Sequence, residues 1–175
     1  FSVNLKHEIK KNKLKFPIVI KPNDEGSSIG VKICKTYSSL KNNFNILKKN
    51  YDNLIFETFI PGKEIQVAVI GGKAIGAIEL RPRREFYDYA AKYKKSSKTL
   101  HVMPAEISSK KYREVLQIAS KANKVLKCRG VVRCDFRFYK DKFFLLELNT
   151  QPGMTSLSLV PEIAQYAKIS FTKLV

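Results

Sequence analysis

Residues 143–159 read FFLLELNTQPGMTSLSL. The run opens with four apolar residues, Phe143-Phe144-Leu145-Leu146, and then sets Glu147 and Asn149 two residues apart. Alternate residues of a β-strand point to one face, so the pair is expected side by side at the end of a buried strand. Both are hard oxygen ligands of the kind Mg2+ takes. Pro152-Gly153 breaks the strand and puts the pair at the mouth of a loop.

A second stretch answers the first. Residues 131–139, VVRCDFRFY, alternate, with Val131, Arg133, Asp135 and Arg137 on one parity. Their β-branched and aromatic content predicts a strand. Lys140-Asp141-Lys142 then predicts a turn into Phe143, although it lacks glycine. A hairpin of this kind lays Asp135 close to Glu147. Two carboxylates and an amide on adjacent strands are enough to hold one or two Mg2+, with phosphate oxygens completing the shell.

Working outward, residues 16–22 (FPIVIKP) form a short β-branched strand closed by proline. DEGSSIG, residues 24–30, follows, rich in glycine and serine. Such loops cradle phosphates, and an ordinary turn explains this one equally well. It is not a Walker loop, since Gly-Lys-Ser/Thr is absent and Lys21 lies before it. Val31–Lys35 resumes the strand, and Ser38 is expected to cap a helix reaching about Asn50. Leu54–Ile60 reads as a strand linking two lobes, residues 1–59 and 60–175. Gly71-Gly72 joins two further strands in a hairpin. Residues 81–103 read as one long functional loop. Ser108 or Ser109 caps an amphipathic helix to about Leu126. Leu159–Ala167 is a last helix entered through Pro161, with a short helical segment from Ser170. Residues 1–15 are a helix or a loop. Runs of antiparallel strands with helices on one side predict an α+β fold rather than a Rossmann fold.

The 175 residues carry a net charge of +18, from 33 Lys and Arg against 15 Asp and Glu. The excess is lysine scattered along the chain, without a recognisable nucleic-acid motif, so it reads as a solvated surface that favours anionic ligands. No nucleic-acid partner is expected. No apolar run approaches the roughly 18 residues a membrane span needs, and no signal peptide is visible. Three cysteines without a CxxC pair read as reduced thiols of a cytoplasmic protein.

With these residues in hand, the chain resembles the D-alanine–D-alanine ligase family of ATP-grasp enzymes. FPIVIKPNDEGSSIG (16–30), ETFIPGKEIQVAV (57–69), EFYDYAAKY (85–93), GVVRCDF (130–136) and LLELNTQPGMTSLSLVP (145–161) carry the resemblance. It implies an ATP-grasp fold and a reaction in which ATP phosphorylates one D-alanine carboxylate and the amine of a second D-alanine attacks the acyl phosphate, feeding peptidoglycan synthesis. It implies that Asp135, Glu147 and Asn149 hold two Mg2+ (or Mn2+). Lys21, Ser27 and Ser28 would meet the ATP phosphates. Glu57 would lie at the inter-lobe hinge near the adenine amino group, with Phe59 and Ile60 giving backbone contacts, Glu64 the ribose, and Phe86 and Leu146 the walls of the adenine site. Lys92 would meet the acyl phosphate, and Tyr93 would bond toward Ser27. Arg133 and the Gly153 N–H would stabilise the tetrahedral oxyanion. Ser158, with Leu159 beside it, would take the second D-alanine. The family is commonly dimeric.

Three departures stand out. Ala90 replaces the Glu of the family's YDYEAKY, and Leu157 replaces the His of its TSHSL. The family's N-terminal domain, which holds the first D-alanine's ammonium group, has no counterpart in these residues. The 175 residues alone are therefore expected to form no dipeptide. Two alternatives stay open: a ligase for another amino or hydroxy acid pair, and a non-catalytic remnant.

Overall fold

A computed structural model describes residues 5–26, 28–82, 99–155 and 157–175. These residues pack as two compact units, one of residues 5–59, the other of residues 60–82 with 99–175.

The first unit contains α1 (Leu5–Lys11), β1 (Ile18–Pro22), β2 (Lys32–Cys34), α2 (Tyr37–Leu47) and β3 (Leu54–Thr58). Its sheet runs β2-β1-β3, antiparallel throughout, with Val19 between Ile33 and Glu57. The β-branched run of β1 supplies buried Ile18 and Ile20, which meet Leu40, Phe44 and Leu47 of α2. Those three recur at helical spacing, which is why α2 lies on this sheet. The cap of α2 is Thr36 rather than Ser38. Thr36 has extended backbone and its hydroxyl accepts from Ser39 N at 3.2 Å, whereas Ser38 already lies inside the helix. The helix also stops at Leu47, short of Asn50, and β3 stops at Thr58 before reaching Ile60.

The second unit contains β4 (Lys63–Ile70), β5 (Lys73–Arg81), β6 (Leu100–Val102), α3 (Ser109–Val125), β7 (Val131–Tyr139), β8 (Lys142–Asn149), α4 (Leu159–Tyr166) and α5 (Phe171–Leu174). The sheet order is β6-β5-β4-β7-β8, again antiparallel. One face presents Ile65, Val67, Val69, Ala77, Val132, Cys134 and Phe136 to Val115 and Ala119 of α3. The other face carries the even residues of β4 and the odd residues of β7. α4 docks over Gly76 of β5, where a Cβ would come within 2.8 Å of Ile163 Cγ2. Small size, not backbone freedom, is what this glycine contributes. The fold is α+β, as the run of antiparallel strands implies.

Residues 81–103 are not one loop. Arg81 is still paired with Leu100, so β5 and β6 extend the sheet into both ends of that stretch. β8 is not buried either. It is the last strand of its sheet, and Leu145, Leu146 and Glu147 are exposed.

Candidate functional site

The functional face of the second unit is built on the β7–β8 hairpin. Lys140 and Asp141 form its two-residue turn with φ of 47° and 62°, the left-handed pair such turns require. Lys142 already belongs to the strand. From this turn Phe143 pairs with Phe138 and Leu145 with Phe136; the three phenylalanines pack on the α3 side, and Leu145 stays exposed at the sheet edge. Strict alternation would carry Glu147 and Asn149 to that same apolar face. They escape it because the register shifts at Leu146: Phe136 pairs with Leu145, but Asp135 pairs with Glu147 and Arg133 with Asn149. The extra residue is a β-bulge, and it turns both oxygen ligands to the Asp135 face.

On that face Arg133 forks onto Asp135, Nε to Oδ1 at 2.7 Å and Nη2 to Oδ2 at 2.9 Å. Asn149 Nδ2 lies 3.4 Å from Asp135 Oδ2 and 3.4 Å from Glu147 Oε1. Asp135 is buried and Glu147 exposed, so the pair faces solvent from a partly shielded floor. Two carboxylates and an amide oxygen suit a hard divalent cation, the amide reaching it by rotating its oxygen inward. Among the described residues no group of three or more His, Cys, Asp or Glu is placed to hold a metal ion, here or elsewhere, so the third ligand of this set is the Asn149 amide.

Beside this set, Glu64 of β4 meets Arg137 Nη2 at 3.4 Å and accepts from Gln66 Nε2 at 3.4 Å. Gln66 stands opposite Asp135 in the ladder. It is buried, and its Oε1 has no hydrogen-bond donor among the described residues.

Past β8, Ser158 takes the N-cap position of α4 without donating or accepting a cap bond. Its Oγ instead accepts from Thr155 N at 3.0 Å and lies 2.9 Å from Thr155 Oγ1. A Cβ on Gly153 would fall 2.7 Å from that same Oγ. Gly153 therefore lets the loop close on Ser158. Leu159 is buried in the first turn of α4 and anchors it. Leu146, at the bulge, is 42 % exposed.

In the first unit, Lys21 Nζ pairs with Glu57 Oε1 at 3.0 Å across β1 and β3. Ser28 has φ of 61°. Phe59 N donates to Pro17 O at 2.9 Å just past β3, and Ile60 follows it, half-buried. Ser27, Phe86, Lys92 and Tyr93 lie outside the described residues.

Several polar groupings escaped the sequence reading. Buried Glu79 accepts from Lys63 Nζ at 3.0 Å, Arg81 Nε at 2.6 Å and Glu106 N at 3.2 Å, and Arg81 also pairs with Glu106. Burial pulls the Glu79 carboxyl up, but hydrogen bonds and charge from Arg81 and Lys63 outweigh it and hold it below the ordinary glutamate value. His101 of β6 bonds Glu162 of α4 at 2.6 Å. The Gly71-Gly72 hairpin was the one signal for the first of these, since it sets β4 against β5. The thiols of Cys34, Cys128 and Cys134 are free, and burial pushes Cys134 up to about 12. Among the described residues no helix is long and apolar enough to cross a membrane.

The chain is similar to known proteins. Residues 3–175 match the family model described as the D-ala D-ala ligase C-terminus. The D-alanine–D-alanine ligase of Pelagibacter ubique (strain HTCC1062) is 53% identical over 173 residues, covering 99% of this chain and 56% of that protein. The D-alanine–D-alanine ligase of Bacillus anthracis superposes with a TM-score of 0.84 at 33% identity, covering 99% of this chain and 56% of that one. The same ligase complexed with ATP gives 0.80 at 32% identity, covering 99% and 55%. The chain spans about half the length of the curated relatives it matches.

Proposed function

Because this chain belongs to the D-alanine–D-alanine ligase family, whose C-terminal part it matches, we propose that the protein joins two D-alanines at the expense of ATP for peptidoglycan synthesis. The observation that carries the reading is the β7–β8 face, where Arg133, Asp135, Glu147 and Asn149 converge ahead of the Gly153–Ser158 loop.

In this reading a carboxylate oxygen of the first D-alanine attacks the γ-phosphorus and ADP leaves. The amine of the second D-alanine attacks the acyl carbon, and phosphate departs with that carboxylate oxygen. Lys21 acts on the phosphates as a point charge, joined by Ser27 and Ser28. Its bond to Glu57 fixes two side chains on neighbouring strands, so Glu57 is held where it meets the adenine amino group beside the backbone of Phe59 and Ile60. Glu64, steadied by Arg137 and Gln66, takes the ribose. Phe86 and Leu146 flank the base. Asp135, Glu147 and Asn149 would hold two Mg2+ or Mn2+, which when bound would supply positive charge to the transferring phosphoryl group. Arg133 and the Gly153 N–H stabilise the oxyanion, and Lys92 steadies the acyl phosphate. Ser158, ahead of Leu159, binds the second D-alanine's carboxylate, and Tyr93 selects an amine as second substrate. The lobes are residues 1–59 and 60–175. The protein works as a cytoplasmic homodimer and engages neither nucleic acid nor membrane.

The test is phosphate release by the full-length protein when D-alanine is added to Mg-ATP, since residues 1–175 alone are expected to form no dipeptide. Release that vanishes in Glu147→Gln while the thermal melt is kept supports the reading. Equal release by wild type and variant contradicts it.

A further inference from the structure

We propose that Arg133 is the resident counter-ion of Asp135 and must be displaced by the arriving divalent cation, so that metal loading is what frees Arg133 for the oxyanion. The inference rests on the ligase reading for Arg133's destination, but not for the exchange itself.

The geometry sets one residue two tasks. Arg133 and Asp135 lie two residues apart on one face of β7, and two guanidinium contacts go to the two oxygens of a single carboxylate. Their side chains are 19% and 9% exposed. A carboxylate so shielded keeps a cation beside it, because an uncompensated buried charge is strongly unfavourable. A fork of this kind is among the strongest polar contacts a protein makes. A divalent cation on Asp135 would stand against the guanidinium at close range, and like charges in a shielded site repel strongly. The two therefore alternate on the same oxygens. Asp135 stays neutralised throughout, first by Arg133 and then by the metal. Glu147 is exposed on the opposite strand, so it meets the cation first and Asp135 second. Gln66, directly across from Asp135 on β4, keeps a buried amide oxygen that has no donor among the described residues. That acceptor lies on the face the guanidinium crosses when it leaves.

Plain charge repulsion makes a different forecast from exchange, and Arg133→Lys separates them. The variant keeps the positive charge and loses the fork. Free Mn2+, read by its electron paramagnetic resonance while protein and ADP are titrated, reports the affinity without D-alanine and without turnover. Exchange predicts that Arg133→Lys binds Mn2+ roughly ten-fold more tightly than wild type, with Lys121→Met, at an exposed position of α3, as the unchanged control. Equal affinity in Arg133→Lys and wild type would overturn it. Should the variant not fold, the wild-type Arg133 Nε–H resonance decides. It shifts as Mg2+ and ADP saturate the protein if the fork opens, and stays fixed if it does not. A protein that shows the exchange yet forms no D-Ala–D-Ala refutes the ligase reading alone. One that forms the dipeptide with the resonance fixed refutes the exchange alone.

Discussion

Asp135 and Glu147 face each other across the β7–β8 hairpin because Leu146 bulges out of the ladder between the apolar and the polar halves of β8. Deleting Leu146 removes the residue that bulges, so Glu147 follows Leu145 directly, still pairs with Asp135 and keeps Asn149 opposite Arg133. The deletion should keep phosphate release at saturating ATP, with a raised ATP requirement because Leu146 is one wall of the base site. Exchanging two residues, Glu147→Leu with Leu148→Glu, puts the carboxylate on the α3 side instead, and should abolish release and cost about 1–3 kcal/mol of stability as a polar group meets an apolar face. Assays of both variants with thermal melts check this, and release lost in the deletion or kept in the exchange would show that the bulge does not aim the pair.

Gly153 and Ser158 make the second prediction. A methyl at 153 would sit 2.7 Å from Ser158 Oγ, so Gly153→Ala should destabilise by about 1–3 kcal/mol, as overpacking does. Adding Ser158→Ala removes the obstructing oxygen and should restore much of the melt without restoring ligation. Denaturant unfolding of the single and double variants reads the first effect, and dipeptide formation reads the second.

Glu79 makes stability depend on pH. Its carboxyl titrates below the ordinary range in the folded chain, with burial opposed by the stronger pull of Arg81 and Lys63. A carboxyl lowered on folding stabilises fully above its unfolded pKa, and that contribution is lost as pH falls through its folded pKa. Glu79→Gln should therefore melt lower at neutral pH and lose less on acidification toward about pH 3. Parallel melting curves for wild type and variant across that span would contradict it.

Gln66 carries a buried acceptor that meets no donor among the described residues. Gln66→Met keeps the bulk and removes the amide, so it should raise stability by about 1 kcal/mol. A lower melting temperature would mean that the amide is satisfied in the folded protein.

Much of this was legible in the residues themselves. The alternation of Val131–Tyr139 and the oxygen ligands after Phe143–Leu146 were enough to expect the hairpin, and the contact between Asn149 and Glu147 lies where their spacing puts it, whereas the contact of Asn149 with Asp135 depends on the bulge. What stayed hidden is local geometry that composition does not encode. Nothing in FFLLELN marks which residue bulges, because four apolar residues in a row satisfy either register. Thr36 and Ser38 are both good caps by type, and only the backbone at Thr36 chooses between them. Lys63, Arg81 and Glu106 are scattered in sequence, so the surroundings of Glu79 exist only once β4, β5 and the chain after β6 are assembled.

The most direct test of the ligase reading follows one oxygen atom. D-alanine labelled with 18O in its carboxylate is supplied with Mg-ATP to the full-length protein, and the inorganic phosphate is analysed by mass spectrometry. Attack of the amine on an acyl phosphate leaves one labelled oxygen in each phosphate released during dipeptide formation. Phosphate carrying a single 18O is the predicted result. Unlabelled phosphate, or no phosphate at all from the intact protein, would contradict the account.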